Sequence, residues 1–402
     1  MVQGRQIKVL KSHTFKIKAI PNPTHQELTM QRLQQLEKWL HSQFPESSFE
    51  LAPASADASF RRYFRITFAD GGCGCDTLLT KPSVCTRIVM DAPPQLENCR
   101  PFLHIGKLFE NAGTHVPHVY AQDLEQGFLL LSDLGNTTYL QALSEGNADT
   151  ARELYGAATD ALIRIQLASR ENELPLYDEA LLMREMRLFP EWYITRHLNV
   201  TLDEKQSAKL ESVFQCIIRN NLAQPRVYVH RDYHSRNLMV AEPNGPARFP
   251  HPNLPPAGDG TNEKDNLLTS PGILDFQDAV YGPITYDLAS LFKDAYIRWE
   301  EAEVLDWLIR YWEKARKAGL PVHQDFADLY RDYEWMGVQR HLKVLGIFAR
   351  LYHRDGKEGY LKDMPLVMDY LRRACARYID LKPLLNLLDT LEQKKPEVGF
   401  TF

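Results

Sequence analysis

The hydrophobic pattern of this chain changes period once, near residue 135, and no other feature restricts the fold as much. Before that point, residues 60–68 mix aromatic and β-branched side chains and run into Asp70-Gly71-Gly72, which predicts a strand entering a hairpin loop with 87–90 as the return strand. Residues 101–112 read as a helix ending near Gly113, and 127–132 as a short, almost wholly apolar strand. Beyond it, apolar residues recur at helical spacing over 149–168, 178–197, 203–221 and most of 286–402. Two short segments of strand character, 226–229 and 272–274, interrupt the helical part, and each leads directly into an Asp-containing loop. The pattern predicts an α+β chain of two lobes, the first β-rich over 24–134 and the second mainly helical over 135–402. A polar extension, 1–23, precedes an amphipathic helix at 24–44 with Thr24 as a candidate N-cap. Residues 241–271, dense in Pro, Gly and Asn, predict a mobile surface insertion between the two interrupting strands.

Composition narrows the function classes. A formal net charge of −5 gives no overall basic surface for nucleic acid. Six cysteines, without paired CxxC knuckles, argue against a disulfide framework and for a reducing compartment. The Cys73-x-Cys75 pair has no second close pair of ligands and reads as free thiols in a hairpin loop. The N-terminal segment lacks the apolar stretch of a secretory signal, and apolar runs such as 128–131 are far shorter than the roughly 20 residues that span a bilayer. A soluble cytoplasmic protein is expected.

The chemistry concentrates after the two short strands. His230-Arg231-Asp232 is followed after four residues by Asn237, which places a carboxylate able to orient a hydroxyl and take its proton near an amide oxygen able to bind magnesium on ATP phosphates. The second segment, Ile273-Leu274-Asp275-Phe276-Gln277-Asp278, releases a carboxylate from the end of a buried strand. Magnesium takes one or two carboxylates plus substrate phosphates, so Asn237 with Asp275 is a chemically sufficient site. Either motif alone is an ordinary strand followed by a capping Asp; their ordered occurrence after a β-rich lobe is the part list of phosphoryl transfer.

These motifs resemble those of the aminoglycoside phosphotransferase and choline-kinase-like superfamily over roughly 52–291. Its His-x-Asp-x-His-x-x-Asn pattern is matched by His230, Asp232, His234 and Asn237, and its metal-binding Asp by Asp275, with Gln277 where Asp-Phe-Gly would have Gly. Tyr286-Asp287-Leu288-Ala289 resembles the family's downstream segment, whose Asp is structural. The resemblance implies a two-lobed protein-kinase-like fold and an ATP- and Mg²⁺-dependent small-molecule kinase. Within the superfamily, residues 58–65, 89–94, 99–102 and 189–193 are similar to bacterial N-acetylmuramate/N-acetylglucosamine anomeric kinases of cell-wall recycling, which implies an amino-sugar acceptor phosphorylated at C1. Aminoglycosides or other hydroxyl acceptors are the alternative within the same fold. A protein kinase is disfavoured by His234 and Gln277, and a pseudokinase scaffold has no use for Asp232, Asn237 and Asp275 together.

The chain departs from the kinase pattern on the phosphate side. In place of a Gly-x-Gly-x-x-Gly loop it has 56–62, where Ser59, Arg61 and Arg62 are the candidate phosphate contacts. The third-strand lysine of kinases is replaced by Met90; Lys81 is a candidate substitute, and Glu97 and Glu110 are both candidates for its partner. Ser132 and Leu134 lie in the segment resembling the lobe connection, where adenine bonds the backbone. For the acceptor, Arg100, Trp192, Arg196, His234 and Asp278 are candidates, with Arg100 or Arg196 the arginine suited to an acidic sugar. Trp192 sits among aromatics that more often serve packing.

Overall fold

In the computed structural model the described residues are 25–56, 60–68, 85–240 and 270–392. They fall into two compact units, one holding helix α1 (His25–Gln43) and one beginning at Phe49. In α1, Leu36, Trp39 and Leu40 are buried, at the i, i+3, i+4 spacing of an amphipathic helix.

The second unit opens with an antiparallel sheet of β1 (Phe49–Ala56), β2 (Arg62–Phe68), β3 (Cys85–Asp91), β4 (Val119–Asp123) and β5 (Phe128–Ser132), in the order β1-β2-β3-β5-β4. The aromatic and β-branched segment 60–68 contains β2, and β3 is its antiparallel return strand. The edge strands β1 and β4 escaped the sequence reading. β1 carries Pro53 at a break in register, and β4 has no buried residue; both features are tolerated only where one side of a strand is unpaired. Helix α2 (Arg100–Asn111) covers one face, its Phe102, Ile105 and Phe109 sharing a core with Met90, Leu129 and Leu131. Cys85 is disulfide-bonded, whereas Cys99, Cys216 and Cys375 are free. Sparse spacing did not foretell that bond, because pairing depends on which segments the fold brings together.

The rest of the unit is mainly helical: α3 (Tyr139–Glu145), α4 (Ala148–Leu167), α5 (Glu179–Met186), α6 (Glu204–Leu222), α7 (Tyr286–Phe292), α8 (Glu301–Lys317), α9 (Phe326–Asp355), α10 (Met364–Arg377) and α11 (Lys382–Leu391). Side-chain caps start several of them, with reciprocal capping boxes at Thr138 and Asp203. The single helix expected over 178–197 is two pieces: α5 stops at Met186, and a π-helical segment, Phe189–His197, follows. Pro190 has no N–H to give an α ladder, and the wider turn is held by Leu198 N–H donating to the Tyr193 carbonyl at 2.9 Å. The long helix α9 passes so close that a Cβ at Gly346 would stand 2.5 Å from the Leu188 carbonyl oxygen. Only glycine allows that approach.

Two short ribbons lie within this helical part. β6 (Arg226–Val229) pairs with β9 (Val280–Pro283), and β7 (Leu238–Met239) pairs with β8 (Gly272–Ile273). The loops 230–237 and 274–279 therefore emerge from fixed, buried strand ends. Of the expected insertion, 241–269 lie outside the described residues, while Ser270 and Pro271 are buried, the Ser270 hydroxyl accepting from Arg164 Nη2 at 3.1 Å.

Candidate active site

The loop after β6 is bent through a left-handed residue, Arg231, with φ +77°, a conformation a long side chain adopts only when its surroundings enforce it. Asp287, at the start of α7, does so: its two carboxylate oxygens accept the N–H groups of His230 at 2.7 Å and Arg231 at 3.0 Å. Burial pushes the Asp287 carboxyl up to about 7 despite those two donors. His230 is buried; its Nε2 lies 3.0 Å from the Leu274 carbonyl, and Asp232 N–H points to its Nδ1 at 3.2 Å. Nε2 therefore donates and Nδ1 accepts, a neutral imidazole, and burial accordingly lowers its pKa to about 4. His230 thus ties the two active loops together. Its ring also stacks on Phe109 of α2, which in turn meets Phe276.

Asp232 is left with 38% of its side chain exposed at the loop's surface. Burial of its remainder would raise its pKa, but the charges of Lys343 and Arg340, with His234 and Arg231, hold it well below the ordinary carboxylate range. Arg340 and Lys343 both come from α9, and neither was picked out in the sequence. Arg340 Nη1 donates to the Arg231 carbonyl at 2.9 Å and stands 3.9 Å from Asp232 Oδ1. Lys343 lies 3.2 Å from Glu185 Oε1, the oxygen that also receives Arg231 Nη2 at 2.5 Å. Tyr177 donates to the other Glu185 oxygen, as does Gln339 at 3.1 Å. Burial opposes the charge on Glu185, but Lys343 and Arg231 prevail and keep it ionised. A signal existed for this network: α9 carries Gln339, Arg340, His341 and Lys343 in succession within an otherwise buried helix.

Asn237 and Asp275 come together as the motifs require. The Asn237 amide nitrogen donates to Asp275 Oδ2 at 3.3 Å and to the Asp232 carbonyl at 3.0 Å, so the amide oxygen is its acceptor end. Leu274 N–H donates to the Asn237 carbonyl at 2.9 Å, locking the loops in register. Asp275 is left-handed too, φ +63°, and Gln277 donates to its Oδ1 at 2.8 Å. An amide oxygen beside one carboxylate is a hard-oxygen donor set that suits Mg²⁺ completed by phosphates. Among the described residues no group of three or more His, Cys, Asp or Glu could hold a metal by itself.

On the sheet side, Met90 is fully buried and packed with α2. Arg62 pairs with Asp91, its Nη2 2.5 Å from Oδ2, and in an antiparallel ladder those directly opposed residues share the sheet face opposite to Met90. Arg61 Nε stands 3.9 Å from Glu97. Glu110 accepts from Lys107 and contacts His118. Ser59 and Lys81 lie outside the described residues. Arg65, overlooked in the sequence, grips the lobe connection by donating to Asp133 at 2.6 and 3.0 Å and to the Gly135 carbonyl at 3.2 Å. The Ser132 hydroxyl accepts His118 N–H at 2.9 Å. Leu134 packs on Gly272 and Met239, where a Cβ on Gly272 would come within 3.0 Å of Leu134 Cδ1.

Of the acceptor-side candidates, His234 is beside Asp232: its N–H donates to the Asp232 carbonyl at 3.0 Å and its ring meets Tyr296 edge-on. Burial lowers its pKa. Asp278 is exposed, and its carbonyl accepts from Arg231 at 3.2 Å. Trp192 is half-buried against the core of the helical part. Arg196 is exposed on the π-helical segment, and Arg100 is exposed at the start of α2 beside a cavity of about 160 Å³ formed with Pro94, Glu97 and Leu124. Among the described residues neither arginine makes a hydrogen bond or ion pair with the catalytic loop.

A β-sheet lobe joined to a helical lobe that presents Asp232, Asn237 and Asp275 defines a kinase-like phosphotransferase. The chain belongs to the phosphotransferase enzyme family (APH), whose profile matches residues 50–248 and 264–326. It is 45% identical over 375 residues to the N-acetylmuramate/N-acetylglucosamine kinase of Neisseria meningitidis serogroup B, covering 93% of this chain and 100% of that protein. The Pseudomonas aeruginosa kinase of the same name is 47% identical over 372 residues, covering 90% of this chain and 97% of that one. Among solved structures, Plasmodium vivax ethanolamine kinase matches with a TM-score of 0.51 at 12% identity over 85% of each chain. The GDP complex of an aminoglycoside 2′-phosphotransferase-IIIa mutant also gives 0.51 at 12% identity, over 86% of this chain and 97% of that one. These likenesses establish the two-lobed protein-kinase-like fold. Among the described residues no helix is long and apolar enough to cross a membrane.

Proposed function

We propose that the chain transfers the γ-phosphoryl group of Mg-ATP to the anomeric hydroxyl of N-acetylmuramate and N-acetylglucosamine, as a cytoplasmic step in reclaiming cell-wall sugars. The observation that carries this reading is an ionised Asp232, held by a strained loop beside Asn237 and Asp275, in a chain 45% and 47% identical to two kinases named for those sugars. The lobe connection, 132–135, would receive the adenine, and Ser59 with Arg61 the phosphates. Asn237 and Asp275 would hold Mg²⁺, which, when bound, neutralises charge on the phosphates.

Asp232 accepts a hydrogen bond from the C1 hydroxyl and aims its oxygen at the γ-phosphorus. As the O1–P bond forms, the bond from phosphorus to the β–γ bridging oxygen breaks, ADP leaves, and the hydroxyl proton passes to Asp232. A carboxylate this far below its ordinary range is a weak base, so its main contribution is orientation, with proton transfer late. An anomeric hydroxyl suits it, because the ring oxygen withdraws electron density and makes that hydroxyl more acidic than an ordinary alcohol. Phosphorus NMR of products from each free sugar and its methyl glycoside tests the assignment. Magnesium-dependent formation of anomeric phosphates is expected from the free sugars alone; a methyl glycoside phosphorylated at a similar rate would exclude transfer to C1.

A further inference from the structure

We propose that Arg236 recognises the carboxylate of an acidic acceptor and so sets the preference between N-acetylmuramate and N-acetylglucosamine, an inference that rests on the acceptor reading above. Among the described residues four cations surround the catalytic loop, and three have polar partners within the protein. Arg231 is paired with Glu185 at 2.5 Å. Lys343 is shared between Glu185 at 3.2 Å and the Tyr286 hydroxyl at 3.0 Å. Arg340 donates to the Arg231 carbonyl at 2.9 Å and stands against Asp232 itself. Arg236 differs: its guanidinium carbon lies 3.6 Å from the Tyr296 ring centroid and 5.9 Å from that of Tyr360. Among the described residues no carboxylate comes within 4.0 Å of it. Asp363, which feels its charge, is beyond that distance. Stacking fixes a guanidinium in place while leaving its planar fork of N–H donors for a carboxylate.

The placement is built into the loop. Asp294 accepts both the N–H and the hydroxyl of Ser235, at 3.0 and 2.5 Å, and also Tyr296 N–H at 3.1 Å. One buried carboxylate thus sets Tyr296 beside both His234 and Arg236. Asn237 N–H donates to the His234 carbonyl at 2.9 Å, closing a turn that contains Arg236 and returns the chain toward Asp232. Phe348, buried behind them, joins Tyr296 to Tyr360, with ring centroids 6.2 and 5.1 Å apart, and the two partly exposed tyrosines offer aromatic surface to the C–H face of a pyranose. The lactyl ether of N-acetylmuramate is at C3, two ring positions from C1, and it carries the carboxylate outward from the ring. A sugar with its C1 oxygen at Asp232 therefore carries its carboxylate away from that like charge, toward a cation displaced from it along the same loop.

The test compares kcat/KM for N-acetylmuramate, its neutral methyl ester and N-acetylglucosamine in the wild type, Arg236→Met and Arg236→Lys, all checked for native circular dichroism. Arg236→Met should lower kcat/KM for N-acetylmuramate about 10- to 100-fold, mainly through KM, the worth of a charge-assisted hydrogen bond. The ester and N-acetylglucosamine should fall less than about threefold, and Arg236→Lys should recover part of the loss. Equal losses on all three sugars, or no loss on N-acetylmuramate, would overturn the proposal while leaving the acceptor reading intact. A wild type that turns over neither sugar would overturn the reading and this proposal together.

Discussion

The catalytic loop 230–237 and strand β3 are held in place by opposite means. The loop rests on buried charge: Asp287 clasps two backbone N–H groups, Glu185 gathers Arg231 and Lys343, and Arg340 braces the Arg231 carbonyl. β3 rests on apolar packing, with Met90 sealed into the core where a kinase pattern would place lysine. Its terminal charge, Asp91, is paired with Arg62 on the other sheet face. A left-handed loop has no ladder of its own, so its geometry must be imposed by specific polar partners. A strand in the middle of a sheet already has its backbone satisfied on both sides and needs only side chains that fill space.

Four measurements can break or sharpen that contrast. The largest effect is expected at the loop's product, the oriented carboxylate: Asp232→Asn should slow transfer by about 10²- to 10⁴-fold while keeping the fold and nucleotide binding. That corresponds to about 2.7–5.4 kcal/mol of transition-state stabilisation. Near-normal turnover by the folded variant would remove Asp232 from its role.

Glu185→Ala comes next, because it strands two buried cations; unfolding free energy should fall by about 3–5 kcal/mol in denaturant titration. A loss under about 1 kcal/mol would mean that solvent reaches and screens these cations, and the contrast with β3 would weaken.

The third measurement uses pH. Burial holds His230 neutral with its pKa near 4, below the ordinary 6.5, so the unfolded chain takes up its proton first as pH falls. Stability from this residue is complete above pH 6.5 and is lost between 6.5 and about 4, on the order of 3 kcal/mol in all. Asp287, raised to about 7, has the opposite sign, since the folded state holds its proton longer and stability from that group falls as pH rises from 3.8 to 7. Comparing the pH slope of unfolding with that of His230→Gln isolates the histidine. Parallel slopes would show that His230 does not carry this dependence.

The smallest effect on catalysis is expected from Arg62→Met, since Arg62 is held by Asp91 on the sheet face away from Met90. KM for Mg-ATP should change by less than about threefold, while stability falls because the fully buried Asp91 loses that partner. A rise of tenfold or more would show that Arg62 reaches the phosphates after all.

Much of the framework was legible because it depends on local chemistry. Aromatic and β-branched content marked β2 and its return strand β3, an apolar run marked β5, helical spacing marked the long helices, and the order of Asp232, Asn237 and Asp275 after two short strands pointed to the proposed reacting groups. What escaped was also physically consistent. β1 and β4 are edge strands with weak burial patterns, and the break at Pro190 needed a π-helical turn that periodicity does not encode. Glu185, Arg340 and Lys343 carry no motif, Arg65 and Arg236 lie inside matched segments but were not read as site residues, and Ser59 and Lys81 lie outside the described residues.

By itself, then, the sequence determined the two-lobed architecture and pointed to the carboxylate proposed to orient the acceptor and the oxygen pair proposed for magnesium, because these follow from periodicity and from side-chain types at short fixed spacings. The tertiary structure decided which cations remain available to a substrate. Arg231, Arg340 and Lys343 are committed to protein partners, while among the described residues Arg236 is held by aromatic rings. That decision is made by contacts between residues more than a hundred positions apart in some cases, as between Arg231 and Arg340, and a guanidinium's availability depends on its neighbours in space rather than on its own chemistry.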